Sequence, residues 1–302
     1  MHIPEGLLPS LLLPEVYGPW KFDRGFVARQ IEQAATDGFY RSVEISRIPE
    51  NEDRQAIRAV CADHDIRVST WLTQVIDDEK LDLTTLDDTL RARSVEVLKR
   101  AMPEARECGA ITVAFIGGPD PGPERRQRGY DCFVESMSAL CIEASNLGMR
   151  VMFEPLDRFA HKKRLVGPTD EALVAFARIR AEHPTFGLAF DTAHAALNEE
   201  DVAASLALAR DVTVNLHLSN AVLDSNDPLY GDHHMMPGAP GFLTLERAAE
   251  LIATASRLRI AADRGLPVSI EARARPTDAP QFTATVATEF LKAAFERATT
   301  AK

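Results

Sequence analysis

Glu154, Asp191, His217 and Glu271 are the residues of this 302-residue chain whose types and spacing point most directly to chemistry. Each stands at or next to the end of a short apolar run: RVMFE (150–154), FGLAFD (186–191), VTVNLHL (212–218) and PVSIEA (267–272). His194 follows Asp191 by three residues. Three carboxylates and an imidazole brought together make an oxygen-rich site with one nitrogen donor. That set suits one divalent ion, Mn²⁺ first, then Mg²⁺ or Co²⁺, and tolerates Zn²⁺. Taken singly, a Glu at a strand end is more often a helix cap or an ion-pair partner, and a lone His more often a hydrogen-bonded wall residue. Four in register are another matter. Without a cation, carboxylates sharing one cavity repel one another and are pushed toward their protonated forms, and a divalent ion is the simplest way to keep them together.

Those side chains converge only if the apolar runs are neighbouring strands. Four further runs precede them: LLPSLLL (7–13), SVEIS (42–46), RVSTWL (67–72) and ITVAFI (111–116). Most are short and rich in Val, Ile and Phe, as buried parallel strands are. Between them lie segments with apolar residues at helical spacing, such as Val27-Ile31-Ala34-Ala35 and Leu245-Ala248-Leu251-Ile252-Ala255. Helix stops such as Asp37-Gly38 and Leu147-Gly148 come before the next run. Eight strands alternating with eight helices, with no low-complexity linker, predict an α/β fold: a single (β/α)8 barrel over residues 1–302. A doubly wound open sheet is the competitor, but no GxGxxG or Walker spacing is present, and Gly117-Gly118-Pro119 has neither pattern. In a barrel, chemistry sits at the C-terminal ends of the strands, which is where the four residues fall.

Composition narrows the function further. Acidic residues outnumber basic ones, 45 to 34, for a net charge of −11, which argues against a grip on nucleic-acid phosphates. Cys61, Cys108, Cys132 and Cys141 form no CxxC pair and no zinc spacing. Cys132 and Cys141 share one predicted helix, where they stand about 13 Å apart, beyond disulfide reach. Reduced structural thiols and a cytoplasmic location are expected. The apolar stretch Leu7–Leu13 is broken by Pro9 and preceded by no Lys or Arg, so neither a signal peptide nor a membrane association is expected.

A second tier of residues surrounds the metal candidates. Residues 220–241 contain Pro228, Gly231, Pro237, Gly238 and Pro240 with little periodicity and read as a long lid-like loop. Within it, one of His233 and His234 is expected to orient a substrate hydroxyl. Arg158, Lys162, Lys163 and Arg164 form a basic run after the fifth strand, and Arg273 follows Glu271. Either group has the chemistry to hold a phosphate or carboxylate, although a solvated loop is the plainer account of the first. Glu44, placed at the end of the second strand, and Trp71, on the third, are expected to face the pocket, with core packing as the plainer alternative.

The order of these motifs resembles the xylose-isomerase-like TIM-barrel superfamily of sugar isomerases and epimerases, and within it the ketose 3-epimerase branch. Phe153-Glu154-Pro155-Leu156-Asp157-Arg158-Phe159 is similar to that branch's E-x-x-N-R-F segment. Asp191-Thr192-Ala193-His194 with Asn198-Glu199-Glu200 is similar to its D-T-x-H…E-E segment. Asn215-Leu216-His217-Leu218-Ser219 resembles its H-x-H-x-S strand without the first His. Ile270-Glu271 matches the final metal glutamate, and Gly231-Asp232-His233-His234 with Pro237-Gly238 resembles the D-x-H…P-G segment. The architecture covers the whole chain, and the specific motifs lie between residues 150 and 273. The resemblance implies a metal bound by Glu154, Asp191, His217 and Glu271, with His194 near a small-molecule sugar. It further implies Glu154 and Glu271 as acid and base on opposite faces of an enediolate, and a homo-oligomer. The chain departs from the pattern at Ala160 and Leu223, where the branch carries a glutamate and an arginine, and at Asp157, where it carries Asn.

Relatives in the same superfamily keep alternatives open. The same enediolate expels a β-substituent in inosose dehydratases and in the barrel subunit of C-glycoside deglycosidases, the latter with a small partner subunit. A repair nuclease resembling endonuclease IV needs further histidines where this chain has Glu44 and Leu72. A non-catalytic sugar-binding barrel has no use for two glutamates flanking a metal.

Overall fold

A computed structural model describes residues 2–300. Its strands are β1 (Leu7–Leu12), β2 (Ser42–Ser46), β3 (Arg67–Trp71), β4 (Thr112–Ile116), β5 (Arg150–Glu154), β6 (Gly187–Asp191), β7 (Thr213–Val222), β8 (Gly231–Met235) and β9 (Leu266–Glu271). β1 pairs in parallel with both β2 and β9, and β7 with both β6 and β9, so β1–β7 and β9 close into an eight-stranded barrel. Helices cross between successive strands, which is the (β/α)8 arrangement expected from the sequence.

Local chemistry sets the helix limits. Asp87 caps the helix Asp88–Glu107 by accepting from the backbone N–H groups of Thr89 and Leu90. The helix Phe26–Asp37 stops at Gly38, whose φ of 69° is left-handed and suits glycine. Side chains alternate along each strand. On β5, Phe153 points outward into a fully buried aromatic cluster with Phe133 and Phe176, while Met152 and Glu154 point into the barrel. Burial of each such phenylalanine contributes about 1.5–3 kcal/mol. The barrel interior is filled by Leu12, Trp71, Ala114, Met152 and Ala189 around a polar layer described below. Register then places the site at one level: Asp191 lies directly opposite His217, and Glu271 opposite Ser219, two residues further up β7.

The segment 220–241 is not the structureless loop its composition predicts. β7 runs past the barrel rim to Val222, and β8 folds back antiparallel on it, pairing Met235 with Asn220 and Gly231 with Val222. The Asn220 side chain donates to the Met236 and Gly238 carbonyls at 2.8 Å each and accepts from the Leu243 N–H at 2.8 Å. A Cβ on Gly241 would lie only 2.2 Å from Asn220 Oδ1, so glycine is needed there. β8 reads Gly-Asp-His-His-Met, without the apolar alternation by which a strand is recognised. Among the described residues no helix is long and apolar enough to cross a membrane, and all four cysteines are buried and unpaired.

Candidate metal centre

Donor atoms of Glu154, Asp191, His217 and Glu271 all lie within 4.8 Å of one another, and all four residues are buried. His217 Nδ1 is 3.3 Å from Glu154 Oε1 and 3.4 Å from Glu271 Oε2. Despite this crowding, Glu154 Oε1, Asp191 Oδ2 and His217 Nδ1 have no hydrogen-bond partner. Buried polar atoms left unpaired are rare, and three facing one point require an explanation. Burial, reinforced by the Glu271 and Glu154 charges, pushes the Asp191 carboxyl well above its ordinary range. Burial acts the same way on Glu271, but His234 and His217 outweigh it and hold that carboxyl low. Three carboxylates and one imidazole with unsatisfied atoms turned inward fit a hard divalent cation.

A second group, Glu15, His234 and Glu271, is as tightly clustered but needs no ion. His234 Nδ1 is 3.2 Å from Glu15 Oε2 and 3.0 Å from Glu271 Oε1, and its Nε2 is 3.1 Å from Asp232 Oδ2. Glu15 in turn accepts from Arg273 Nε at 2.6 Å. These charges compensate one another, and none of the three residues carries an unpaired buried atom.

The Glu44 carboxylate fixes the metal-facing imidazole from behind. His217 Nε2 is 2.9 Å from Glu44 Oε2, which leaves Nδ1 turned toward the other carboxylates. Glu44 also accepts from Ser10, Trp71 Nε1, Asn215 and Ser269 at 2.8–3.1 Å and is fully buried. Burial opposes its ionisation, but His217 outweighs burial and its pKa is lowered. The expectation that Glu44 lines the pocket is therefore corrected. β2 spans the expected residues, but Glu44 is its middle residue and not its end, so Ser46, on the same face, reaches the pocket while Glu44 lies below it. A carboxylate behind a metal-ligating imidazole sets its tautomer and orientation. Glu44→Gln is expected to weaken Mn²⁺ binding by about 10- to 100-fold. Titration calorimetry showing parental affinity would remove this role from Glu44.

Three residues of the cluster, Glu154, His217 and Glu271, line a cavity of about 380 Å³, walled also by Leu12, Trp71, Ile116 and Leu156, and Asp191 adjoins them without lining it. Trp71 lies 5.1 Å from the His217 ring, centre to centre. His194 reaches the cavity from the helix Thr192–Leu197, which Asp191 caps by accepting from the His194 N–H at 2.9 Å. Its Nδ1 is 3.2 Å from Asp157 Oδ1. Burial disfavours the charged imidazole, but Asp191, Asp157 and Asp232 outweigh it, and the His194 pKa is pushed up to about 9.

Of the paired histidines, His234 lines the cavity and His233 does not, because successive strand residues point to opposite sides. His233 is exposed against His161, with ring centres 4.7 Å apart. Arg158 is also corrected. It is 3% exposed and donates to Glu171 at 2.8 Å, Tyr130 Oη at 2.7 Å and the Leu165 carbonyl at 2.6 Å, so it rivets the loop after β5 to two helices and faces no substrate. Arg158→Met should therefore lower the unfolding free energy by about 2–4 kcal/mol, read by denaturant titration, and an unchanged midpoint would count against it. Arg273 does line the cavity, although Glu15 already engages its guanidinium at 2.6 and 3.1 Å.

Sequence reasoning missed Glu15, and it quoted Asp232 only within the Gly231–His234 motif, without a role. Glu15 lies three residues past β1, so the strand-end rule applied to that strand points to it. The motif that contains Asp232 does not give its role, because the hairpin is what brings it 3.0 Å from Lys162 Nζ and beside His194 and His234.

The fold recurs in known proteins. The chain is similar in structure to an L-ribulose 3-epimerase, at 16% identity with 97% of this chain and 96% of that one covered and a TM-score of 0.70. It is similar to a D-psicose 3-epimerase from Clostridium cellulolyticum H10 at 14% identity, covering 97% and 96%, with a TM-score of 0.67. It is also similar to a 3-keto-D-glucoside 4-epimerase from E. coli at 14% identity, covering 95% and 99%, with a TM-score of 0.66. At these identities the likeness is one of fold. No curated protein sequence matches the chain. The family model described as xylose isomerase-like TIM barrel matches residues 31–294, and the chain belongs to that family.

Proposed function

We propose that the protein is a divalent-metal-dependent epimerase or isomerase of a keto-sugar, moving a proton at the carbon beside the ketone by way of an enediolate. The observation that carries this reading is the buried four-residue cluster with unpaired atoms, three members of which line a cavity large enough for a sugar. The epimerase names of its structural neighbours support it. Glu154, Asp191, His217 and Glu271 would hold the ion. When bound, a divalent cation, Mn²⁺ in first place, supplies stabilisation of the negative charge that builds on the carbonyl and adjacent hydroxyl oxygens.

The protein's own groups do the rest. Glu154 and Glu271 stand on β5 and β9, with β6 and β7 between them, so their carboxylates approach the cluster from two sides. One removes the proton beside the carbonyl and the other returns a proton to the opposite face, which inverts the centre. His194, whose Nδ1 is held by Asp157, presents its other ring nitrogen to a substrate oxygen, while His234, with both ring nitrogens on the carboxylates of Asp232, Glu15 and Glu271, positions Glu271. Trp71 gives the sugar an apolar wall, and Glu44 keeps His217 from turning. Four buried thiols suit a reducing cytoplasm.

NMR in D₂O with the Mn²⁺-loaded protein tests the reading on a panel of ketoses and 3-keto-glycosides. Deuterium at the carbon next to the carbonyl, together with a new stereoisomer, is expected. Loss of a substituent would replace epimerisation by elimination, which no feature of the site favours. Metal-loaded protein that exchanges no hydrogen in any member of the panel would refute the proposal.

A further inference from the structure

Four cationic side chains reach the cavity: Lys21, Lys162, Arg164 and Arg273. Three have charge partners or neighbours. Lys162 Nζ is 3.0 Å from Asp232 Oδ2, Arg273 Nε is 2.6 Å from Glu15 Oε2, and Lys21 faces Glu15 and Asp78. Arg164 stands apart. Among the described residues no carboxylate comes within ion-pair distance of its guanidinium, and its Nε is buried with no hydrogen-bond partner.

This is not a loosely solvated loop residue. The Arg164 N–H donates to the Asp157 carbonyl at 3.0 Å, its backbone bridges to Pro119, and Leu165 beside it is fully buried. The side chain is thus anchored in the loop after β5, on the wall of the same cavity that Glu154, His217 and Glu271 line. A guanidinium N–H withdrawn from water without an acceptor is costly, and an anionic group in the cavity would supply the missing acceptor. Arginine suits that task because its planar fork matches both carboxylate and phosphate oxygens. In a chain of net charge −11, an anion is held only where a cation is left uncompensated, and Arg164 is the cavity cation with no carboxylate beside it among the described residues.

We propose that the keto-sugar bound here carries a negatively charged group, a carboxylate or a phosphate, and that Arg164 holds it by a charge-assisted hydrogen bond. The inference rests on the keto-sugar reading above and concerns the same cavity. It is tested by binding, which separates its failure from that of the reading: Mn²⁺ affinity and hydrogen exchange judge the reading, and a ratio of dissociation constants judges the charge.

The Mn²⁺-loaded protein is titrated calorimetrically with D-fructose, D-fructose 6-phosphate and D-fructuronate. At least one anionic sugar is expected to bind about 10- to 100-fold more tightly than fructose, and the identity of the tighter one tells phosphate from carboxylate. Raising the ionic strength should shrink that advantage. Arg164→Met should bring the ratio close to one while Mn²⁺ affinity stays at the parental value, and Arg164→Lys should retain part of the ratio. Equal affinities for charged and neutral sugars in the parent overturn the inference. So does an anion advantage that survives in Arg164→Met, because the metal would then be its source.

Discussion

Asp191→Ala is expected to raise the dissociation constant for Mn²⁺ by more than about a hundredfold and to abolish turnover of the keto-sugar. Removing a group that merely orients a ligand costs about 10- to 100-fold, so removing the ligand itself costs more. The companion variant Asp191→Asn carries a sharper sign test. It keeps the side-chain oxygen that caps the helix Thr192–Leu197 but removes a buried charge that faces Glu154 and Glu271. In metal-free protein the melting temperature of Asp191→Asn should therefore equal or exceed that of the parent. Added Mn²⁺ should reverse the order, since free ion at 100 times its dissociation constant stabilises the parent by about 2.7 kcal/mol and the variant hardly at all. A purely structural carboxylate would do the opposite, lowering the melting temperature without metal and leaving the Mn²⁺ response intact. Differential scanning calorimetry with and without Mn²⁺ decides between them.

The parts of this molecule that were legible in the sequence share one property: their signal is local and repeats. All eight barrel strands fall where short apolar runs lie between helix stops, because a strand buried on both faces has to be apolar over nearly its whole length. The four cluster residues were legible for the complementary reason. Polar groups that close such runs break the pattern, and the barrel closure that the pattern implies brings those breaks together.

Depth and direction were not legible. Glu44 has the right facing, but β2 extends two residues beyond it, and that difference moves the carboxylate from the cavity wall to the layer beneath His217. In the basic run after β5, composition alone does not separate Arg158 from Arg164. The distinction comes from distant residues: Glu171 and Tyr130 on two helices take up the terminal nitrogens of Arg158, while among the described residues no carboxylate pairs with Arg164. The hairpin that presents His234 and turns His233 away is built by backbone pairing and by the Asn220 side chain, not by an apolar alternation that a sequence displays.

Glu154→Gln and Glu271→Gln are expected to separate the two halves of the proposed reaction. Each should reduce epimerisation by about 10²- to 10⁴-fold, the range that a positioned acid or base contributes. Their residual chemistry should differ. If the two carboxylates serve opposite faces of the substrate, the variant lacking one still exchanges hydrogen from the epimer that presents its proton to the other. Glu154→Gln should then wash deuterium into one epimer and Glu271→Gln into its partner, with neither variant interconverting them. Both residues also belong to the metal cluster, so the measurement is made at Mn²⁺ concentrations shown by calorimetry to saturate each variant. Exchange lost for both epimers in a metal-saturated variant would assign both proton transfers to the removed glutamate. Interconversion at the parental rate in either variant would remove that residue from proton transfer. The geometry favours the divided result: Glu154 Oε1 and Glu271 Oε2 reach His217 Nδ1 at nearly equal distances, 3.3 and 3.4 Å, from strands separated by β6 and β7.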